Sequence, residues 1–94
     1  MTAYLIARID VTDPEDYQAY ASKTVALAEK AGGKFLVKGG EQSFVEGDGP
    51  GRHVIIAFPS REQALAWYQS PEYRDILPIA LRSSQRDIVI VEGI

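Results

Sequence analysis

The chain has 94 residues, 46% of them hydrophobic and 24% charged, which is enough for one domain (residues 1–94) around a single core. Its 13 acidic and 10 basic residues give a net charge of −3 with no cluster of bases, which argues against nucleic acid and anionic membranes as partners. The absence of cysteine excludes disulfide bonds, thiolate metal ligands and a cysteine nucleophile.

The first predicted elements are a strand and a helix. Residues 3–11 are rich in β-forming residues, and their side chains alternate between two faces, which predicts a strand. One face carries Leu5, Ala7, Ile9 and Val11, and the other carries Tyr4, Ile6, Arg8 and Asp10. Residues 12–16 then supply a capping side chain, a proline for the first helical position and acids near the positive helix end. Apolar residues at helical spacing predict a helix over residues 14–31, which ends at Gly32 and Gly33.

The next segment predicts an antiparallel hairpin. Residues 35–37 form a short second strand, and Gly39-Gly40 predicts a bulge or bend before the strand resumes at residues 43–46. The glycines of residues 47–51 indicate a turn, and residues 53–58 predict the third strand.

The second crossover is predicted as a broken pair of helices. Residues 60–63 resemble a capping box, and Ser70-Pro71 restarts the helix until Pro78 kinks or ends it. Residues 88–91 predict the fourth strand. The order β-α-β-β-α-β predicts an α+β ferredoxin-like fold, a four-stranded antiparallel sheet with its helices on one face.

The third and fourth strands carry apolar side chains on both faces, although helices can cover only one. These side chains are Val54, Ile55, Ile56, Ala57 and Phe58, and Ile88, Val89, Ile90 and Val91. A monomer would leave the second face exposed, which monomers rarely do. We therefore expect a homodimer through the sheet face.

The candidate site residues are aromatic or basic. His53 carries an imidazole, a side chain suited to acid–base catalysis, although a hydrogen-bonded histidine at a strand end is the simpler interpretation. Aromatic side chains on the two crossovers are suited either to the core or to a ligand pocket, and the sequence leaves both open. They are Tyr17, Tyr20, Trp67, Tyr68 and Tyr73, with Tyr20 also a catalytic candidate.

Other classes of function are not favoured. A single histidine without carboxylates at ligand spacing predicts no metal site, and the glycine-rich segments do not precede helices as phosphate-binding loops do. We expect no cofactor. Residues 1–10 reach charged positions too early for a signal peptide, and no stretch is long enough for a membrane span, so we expect a cytoplasmic protein.

Several motifs together resemble the family known as domain of unknown function 1330. They are Asp13-Pro14-x-x-Tyr17-x-x-Tyr20, Gly32-Gly33-Lys34-x-Leu36-Val37-Lys38-Gly39-Gly40, Ala64-x-x-Trp67-Tyr68-x-Ser70-Pro71-x-Tyr73 and Val91-Glu92-Gly93. The resemblance covers essentially the whole chain and implies a dimeric α/β barrel without an established reaction. Proteins of similar architecture include cofactor-free monooxygenases, muconolactone-type isomerases and haem-degrading enzymes. Of two arginines usual in the family after Pro78, only Arg82 is present, and it is a candidate anion ligand.

Two hypotheses follow. The first is a cofactor-independent enzyme, monooxygenase- or isomerase-like, for an apolar or aromatic acid, with His53 or a tyrosine as acid or base and Arg82 or Lys38 as anion partner. The second is a non-catalytic small-molecule-binding or stress-associated protein. The sequence contains no evident acid–base pair that would distinguish them.

Overall fold

The structure is a computed structural model that describes residues 1–94 and contains four strands and three helices. In chain order the elements are β1 (Ala3–Val11), α1 (Pro14–Lys30), β2 (Lys34–Lys38), β3 (Arg52–Phe58), α2 (Arg61–Tyr68), α3 (Pro71–Ser83) and β4 (Ser84–Glu92). The strands form one antiparallel sheet in the order β2-β3-β1-β4. The α+β ferredoxin-like prediction is confirmed, with α2 and α3 as the broken second crossover.

Local signals decide where each helix begins. The N-caps are Asp13, Ser60 and Ser70, and each side chain accepts a hydrogen bond from the backbone N–H three residues later, at 3.2, 3.1 and 3.3 Å. α1 ends where Gly32 takes a φ of 91°, in the left-handed region that glycine adopts without strain. These start points determine which aromatic residues of α1 and α3 face the sheet.

The prediction that β2 resumes at residues 43–46 is wrong. Residues 39–51 form a loop without strand structure, although β2 and β3 do pair antiparallel as predicted. The chain leaves the sheet at Gly39, whose φ is 67°, and the irregularity in pairing lies between Phe35 and Val37.

The loop 39–51 folds onto the outer face of the sheet, the face that the helices leave uncovered. The Oε1 atom of Gln42 lies 2.7 Å from Nδ1 of His53. The backbone N–H of Gly51 donates to a carboxylate oxygen of Asp10 at 3.1 Å. Bonds to the outer face therefore replace the strand pairing expected for this segment.

α3 does not end at Pro78, where the sequence predicted a kink or an end, and continues to Ser83. A proline removes the hydrogen bond to the carbonyl four residues earlier, here that of Arg74. Pro78 and Arg74 are both exposed, so water can bond this carbonyl, while Leu77 and Ala80 stay buried against the core. No helix combines the length and apolar character needed to cross a bilayer.

The two faces of the sheet differ in coverage. The inner face and the helices bury one core of 15 residues, which includes Ile9 and Phe58 at 1% exposure each. On the outer face Ile55 is half-buried, and Val89 and Val91 are 54% and 46% exposed. Apolar side chains thus lie on both faces, and the helices cover only one.

Candidate active site

A cavity lies between α1 and the inner face of the sheet. It has a volume of about 40 Å³ and is lined by 17 residues, of which 13 are hydrophobic. The other four are Thr24, Lys38, Arg52 and Arg86, and no aspartate, glutamate or histidine lines the cavity. Its walls are therefore apolar, and the only formal charges along them are positive.

Three polar side chains from three elements meet at this cavity: Tyr20 of α1, Tyr73 of α3 and Arg86 of β4. The two hydroxyl oxygens lie 2.7 Å apart. Nη1 of Arg86 donates to the Tyr20 hydroxyl at 3.1 Å, and Nη2 donates to the Tyr73 hydroxyl at 2.9 Å. The guanidinium carbon also lies 5.1 Å from the centre of the Tyr20 ring. We call these three residues the Tyr–Tyr–Arg cluster.

The hydrogen bonds of the cluster leave one proton unused. A tyrosine hydroxyl has one proton to donate and can also accept. Because Arg86 supplies a donor to each hydroxyl, the bond between the hydroxyls of Tyr20 and Tyr73 uses only one of the two phenol protons. The remaining proton can be donated to a ligand oxygen.

Burial determines the protonation of the cluster. It raises the pKa of Tyr73 well above its usual value, with a further increase from Tyr20, and Arg86 offsets this only in part. Burial alone would lower the pKa of Arg86, but the hydroxyls of Tyr20 and Tyr73 hold it above its usual value. Tyr73 is therefore protonated and Arg86 is a cation at neutral pH.

The charge of Arg86 has no carboxylate partner. The one ion pair in the structure joins Arg82 to Asp16, outside the cavity. A cation that is largely removed from water is costly unless an anion or several acceptors compensate it. The two phenol oxygens supply part of this compensation, and an anionic ligand would supply the rest.

Two further donors belong to residues of the same cavity. Nε of Arg52 and Nε1 of Trp67 are buried without a hydrogen-bond partner, and they are the only such side-chain atoms in the structure. Both groups donate and neither accepts. The cavity thus has an excess of donors, which favours a ligand rich in oxygen acceptors.

The structure distributes the aromatic candidates unevenly. Tyr17, Tyr20, Trp67 and Tyr73 line the cavity, and each is also part of the core. Tyr68 does not line it, and its ring centre lies 5.1 Å from that of Tyr73.

Arg82 lies away from the cavity. Its side chain is 61% exposed and bonds both carboxylate oxygens of Asp16. Lys38, the other anion partner considered from the sequence, does line the cavity.

His53 and Tyr20 lie on opposite faces of the sheet. His53 is half-buried on the outer face beside Gln42, next to the loop 39–51. It does not line the cavity, so the structure does not bring it near the Tyr–Tyr–Arg cluster.

Sequence reasoning missed Arg52 and Arg86, since the predicted third strand began one residue too late and the predicted fourth strand began four residues too late. With β4 starting at Ser84, alternation places Arg86 on the same face as Ile88 and Ile90. An arginine at an inward position of a strand is the signal that could have identified it.

Similarity to solved structures supports the fold, and a family model shows the family to which the chain belongs. The model for a domain of unknown function (DUF1330) matches residues 2–94, and the chain belongs to this family. No curated protein is significantly similar to the chain in sequence. No group of three or more histidine, cysteine or acidic side chains is arranged to hold a metal ion.

Three solved structures illustrate the similarity. A protein of unknown function from Rhodopseudomonas palustris aligns with a TM-score of 0.80 at 15% identity, covering 99% of this chain and 82% of that one. A dimeric ferredoxin-like protein of unknown function from Jannaschia sp. CCS1 has a TM-score of 0.79 at 12% identity, covering 99% and 100%. SnoaB, a cofactor-independent oxygenase from Streptomyces nogalater, has a TM-score of 0.69 at 14% identity, covering 99% and 93%. At these identities the likeness concerns the fold.

Proposed function

We propose that this protein binds a small apolar or aromatic acid in the cavity and acts on it without a cofactor, as an isomerase- or monooxygenase-like enzyme. The observation that carries the proposal is the Tyr–Tyr–Arg cluster at the wall of an apolar cavity that has no acidic residue. The oxygenase neighbour SnoaB agrees with it at the level of architecture.

The chemistry of the cluster is electrophilic. Arg86 holds the ligand anion, and the unused phenol proton of the Tyr20–Tyr73 pair is donated to a ligand oxygen. Donors fixed in place before the reaction stabilise negative charge that develops on such an oxygen, as in an enolate. Stabilisation of this negative charge is common to proton-transfer isomerisation and to attack by a ligand carbanion on dioxygen, and both reactions also need a base to take the proton from carbon.

A non-catalytic binding protein is the second candidate, and one observation favours it. Abstraction of a proton from carbon requires a base, and neither a carboxylate nor an imidazole lines the cavity. A binding or stress-associated role needs only the donors and the apolar wall.

The ligand enters by displacing side chains. A volume of about 40 Å³ holds roughly three water molecules, which is less than an aromatic acid needs. Lys38 is exposed, and Phe35, Arg52 and Val25 are half-buried, so these lining side chains have freedom to move. We expect binding to be accompanied by rearrangement at this end of the cavity.

We also propose a homodimer through the outer face, and the cytoplasm as its location. The exposed Val89 and Val91 support the dimer, as does the dimeric neighbour from Jannaschia. A chain without cysteine has no need of an oxidising compartment.

The test is a binding titration with small carboxylic acids, beginning with benzoate, followed by ligand-observed NMR and thermal shift. Arg86→Gln removes the buried cation, and Arg82→Gln is the matched control because it removes an exposed one. We expect Arg86→Gln to weaken binding by about tenfold or more, as for loss of a charge-assisted hydrogen bond. Equal affinities of wild type and Arg86→Gln, or a loss confined to Arg82→Gln, would contradict the proposal.

A turnover assay distinguishes the two candidate functions. Any acid that binds is incubated with the protein in air and without oxygen, and its mass and isomeric form are followed. Conversion that disappears in Tyr20→Phe or Tyr73→Phe supports the enzyme, and an unchanged ligand supports the binding protein.

A further inference from the structure

The strand register places two arginines in one row across the sheet. Ile9 of β1 pairs with Arg52 of β3 on one side and with Arg86 of β4 on the other. Since neighbouring strands are about 4.8 Å apart, the two arginine Cα atoms are separated by roughly 10 Å. Ile9 is buried on the inner face and both arginines line the cavity, so the two side chains start on the same face.

Aromatic surface lies between the two charges. The guanidinium carbon of Arg52 lies 5.8 Å from the Tyr17 ring centre, and that of Arg86 lies 5.1 Å from the Tyr20 ring centre. The two rings are neighbours, with centres 5.4 Å apart. A flat hydrocarbon placed along these rings would have one cation near each end.

Arg52 packs closely against a glycine at the start of the loop. Gly39 has a φ of 67°. A Cβ atom at this position would lie 2.1 Å from Nη1 of Arg52, which is too close for both atoms to keep their places. Any larger residue at this position would make the guanidinium shift from its present place. Lys38, the preceding residue, adds a third positive charge at the same end of the cavity.

Two arginine cations in one cavity, with Lys38 as a third charge and no acid to pair with them, favour a ligand with two anionic groups. Like charges in a medium of low dielectric repel each other, and each loses hydration. A monoanion can pair closely with one of them, whereas a diacid with a short spacer can pair with both. Inorganic phosphate concentrates its charge on one centre and offers nothing to the aromatic wall.

We propose that the cavity recognises a small dicarboxylic acid with a flat unsaturated or aromatic spacer. One carboxylate binds the Tyr–Tyr–Arg cluster, and the other binds Arg52, whose buried Nε has no partner in the protein. This inference rests on the proposed function and specifies its ligand class.

The test compares aromatic acids with one and with two carboxylates, and inorganic phosphate serves as a compact anion. Benzoate, the three benzenedicarboxylates and inorganic phosphate are titrated into the full chain by calorimetry. We expect at least one dicarboxylate to bind ten times more tightly than benzoate and phosphate, and we expect Arg52→Gln to reduce this preference to less than threefold. Arg61→Gln is the control, since Arg61 is exposed and does not line the cavity.

A second variant keeps the charge and moves the side chain. Gly39→Ala displaces Arg52, whereas Gly47→Ala has the same backbone strain, at a φ of 68°, but meets no atom within 4 Å and is its matched control. We expect the dicarboxylate preference to fall several-fold in Gly39→Ala and to persist in Gly47→Ala, with circular dichroism used to check the fold of each.

The outcomes separate the two proposals. If benzoate binds through Arg86 and no dicarboxylate binds more tightly, the proposed function stands and the diacid inference is overturned. A preference that survives both Arg52→Gln and Gly39→Ala also overturns it. If none of the acids binds, both proposals fall.

Discussion

Polar side chains on the inner and outer faces of the sheet have opposite environments. On the inner face Arg86 bonds two tyrosine hydroxyls within a nearly closed core, and Tyr73 is 1% exposed. On the outer face Asp10 and His53 bond the loop 39–51 within reach of water. A polar group that water can reach is easily satisfied, so the inner groups are the ones whose arrangement requires an explanation.

The largest expected difference between the faces is in packing. Phe58→Ala empties an inner position that is 1% exposed, and we expect the free energy of unfolding to fall by about 3–5 kcal/mol. Val89→Ala on the outer face removes a side chain that is 54% exposed, and we expect a change below about 0.5 kcal/mol for the single chain. Urea unfolding measures both.

The same pair of variants also tests the homodimer. If the outer face is an interface, the effect of Val89→Ala will grow with protein concentration, because the mutation then also weakens association. A concentration-independent midpoint for the wild type would contradict the dimer.

The next difference appears in alkaline solution. The pKa of Tyr73 is raised from its usual 10.0, chiefly by burial, so the unfolded chain releases this proton at lower pH than the folded protein. Its contribution to stability is therefore complete below pH 10 and is lost as the pH rises above 10, by up to about 1.4 kcal/mol per pH unit. We expect Tyr73→Phe to show a shallower decline than wild type above pH 10, measured by urea unfolding. Equal slopes would show that Tyr73 ionises alike in the two states.

A further expected effect concerns the outer polar contacts. His53→Ala removes the hydrogen bond with Gln42, and we expect a loss of about 0.5–1.5 kcal/mol, since the side chain is only half-buried. Ligand affinity should not change, because His53 does not line the cavity. Loss of acid binding in this variant would mean that the outer face takes part in the site.

Much of the fold could be predicted because its signals are local. The N-caps at Asp13, Ser60 and Ser70 and the glycine after α1 each act within one turn of the chain. The continuation of β2 could not be predicted in this way. Residues 43–46 have strand-like composition, and only the bonds of the loop to His53 and Asp10 show where this segment lies.

Part of the site could be predicted, again from local spacing along the chain. Helical spacing placed Tyr17 and Tyr20 on one face of α1, but a pattern cannot distinguish a core position from a cavity wall. Arg82 and Arg86 look equivalent in the sequence. In the fold, Arg82 lies in the last turn of α3 and is exposed, whereas Arg86 lies on β4 and faces inward.

The sequence by itself determined the element order, the helix starts, the apolar character of both sheet faces and the absence of thiol chemistry. These depend on residue type and on spacing along the chain, which are complete in the sequence. The tertiary structure alone decided that Tyr20, Tyr73 and Arg86 meet, because they come from α1, α3 and β4. It also placed Arg52 at the wall of the same cavity through the strand register, since contacts between distant segments are set by how the whole sheet pairs and packs.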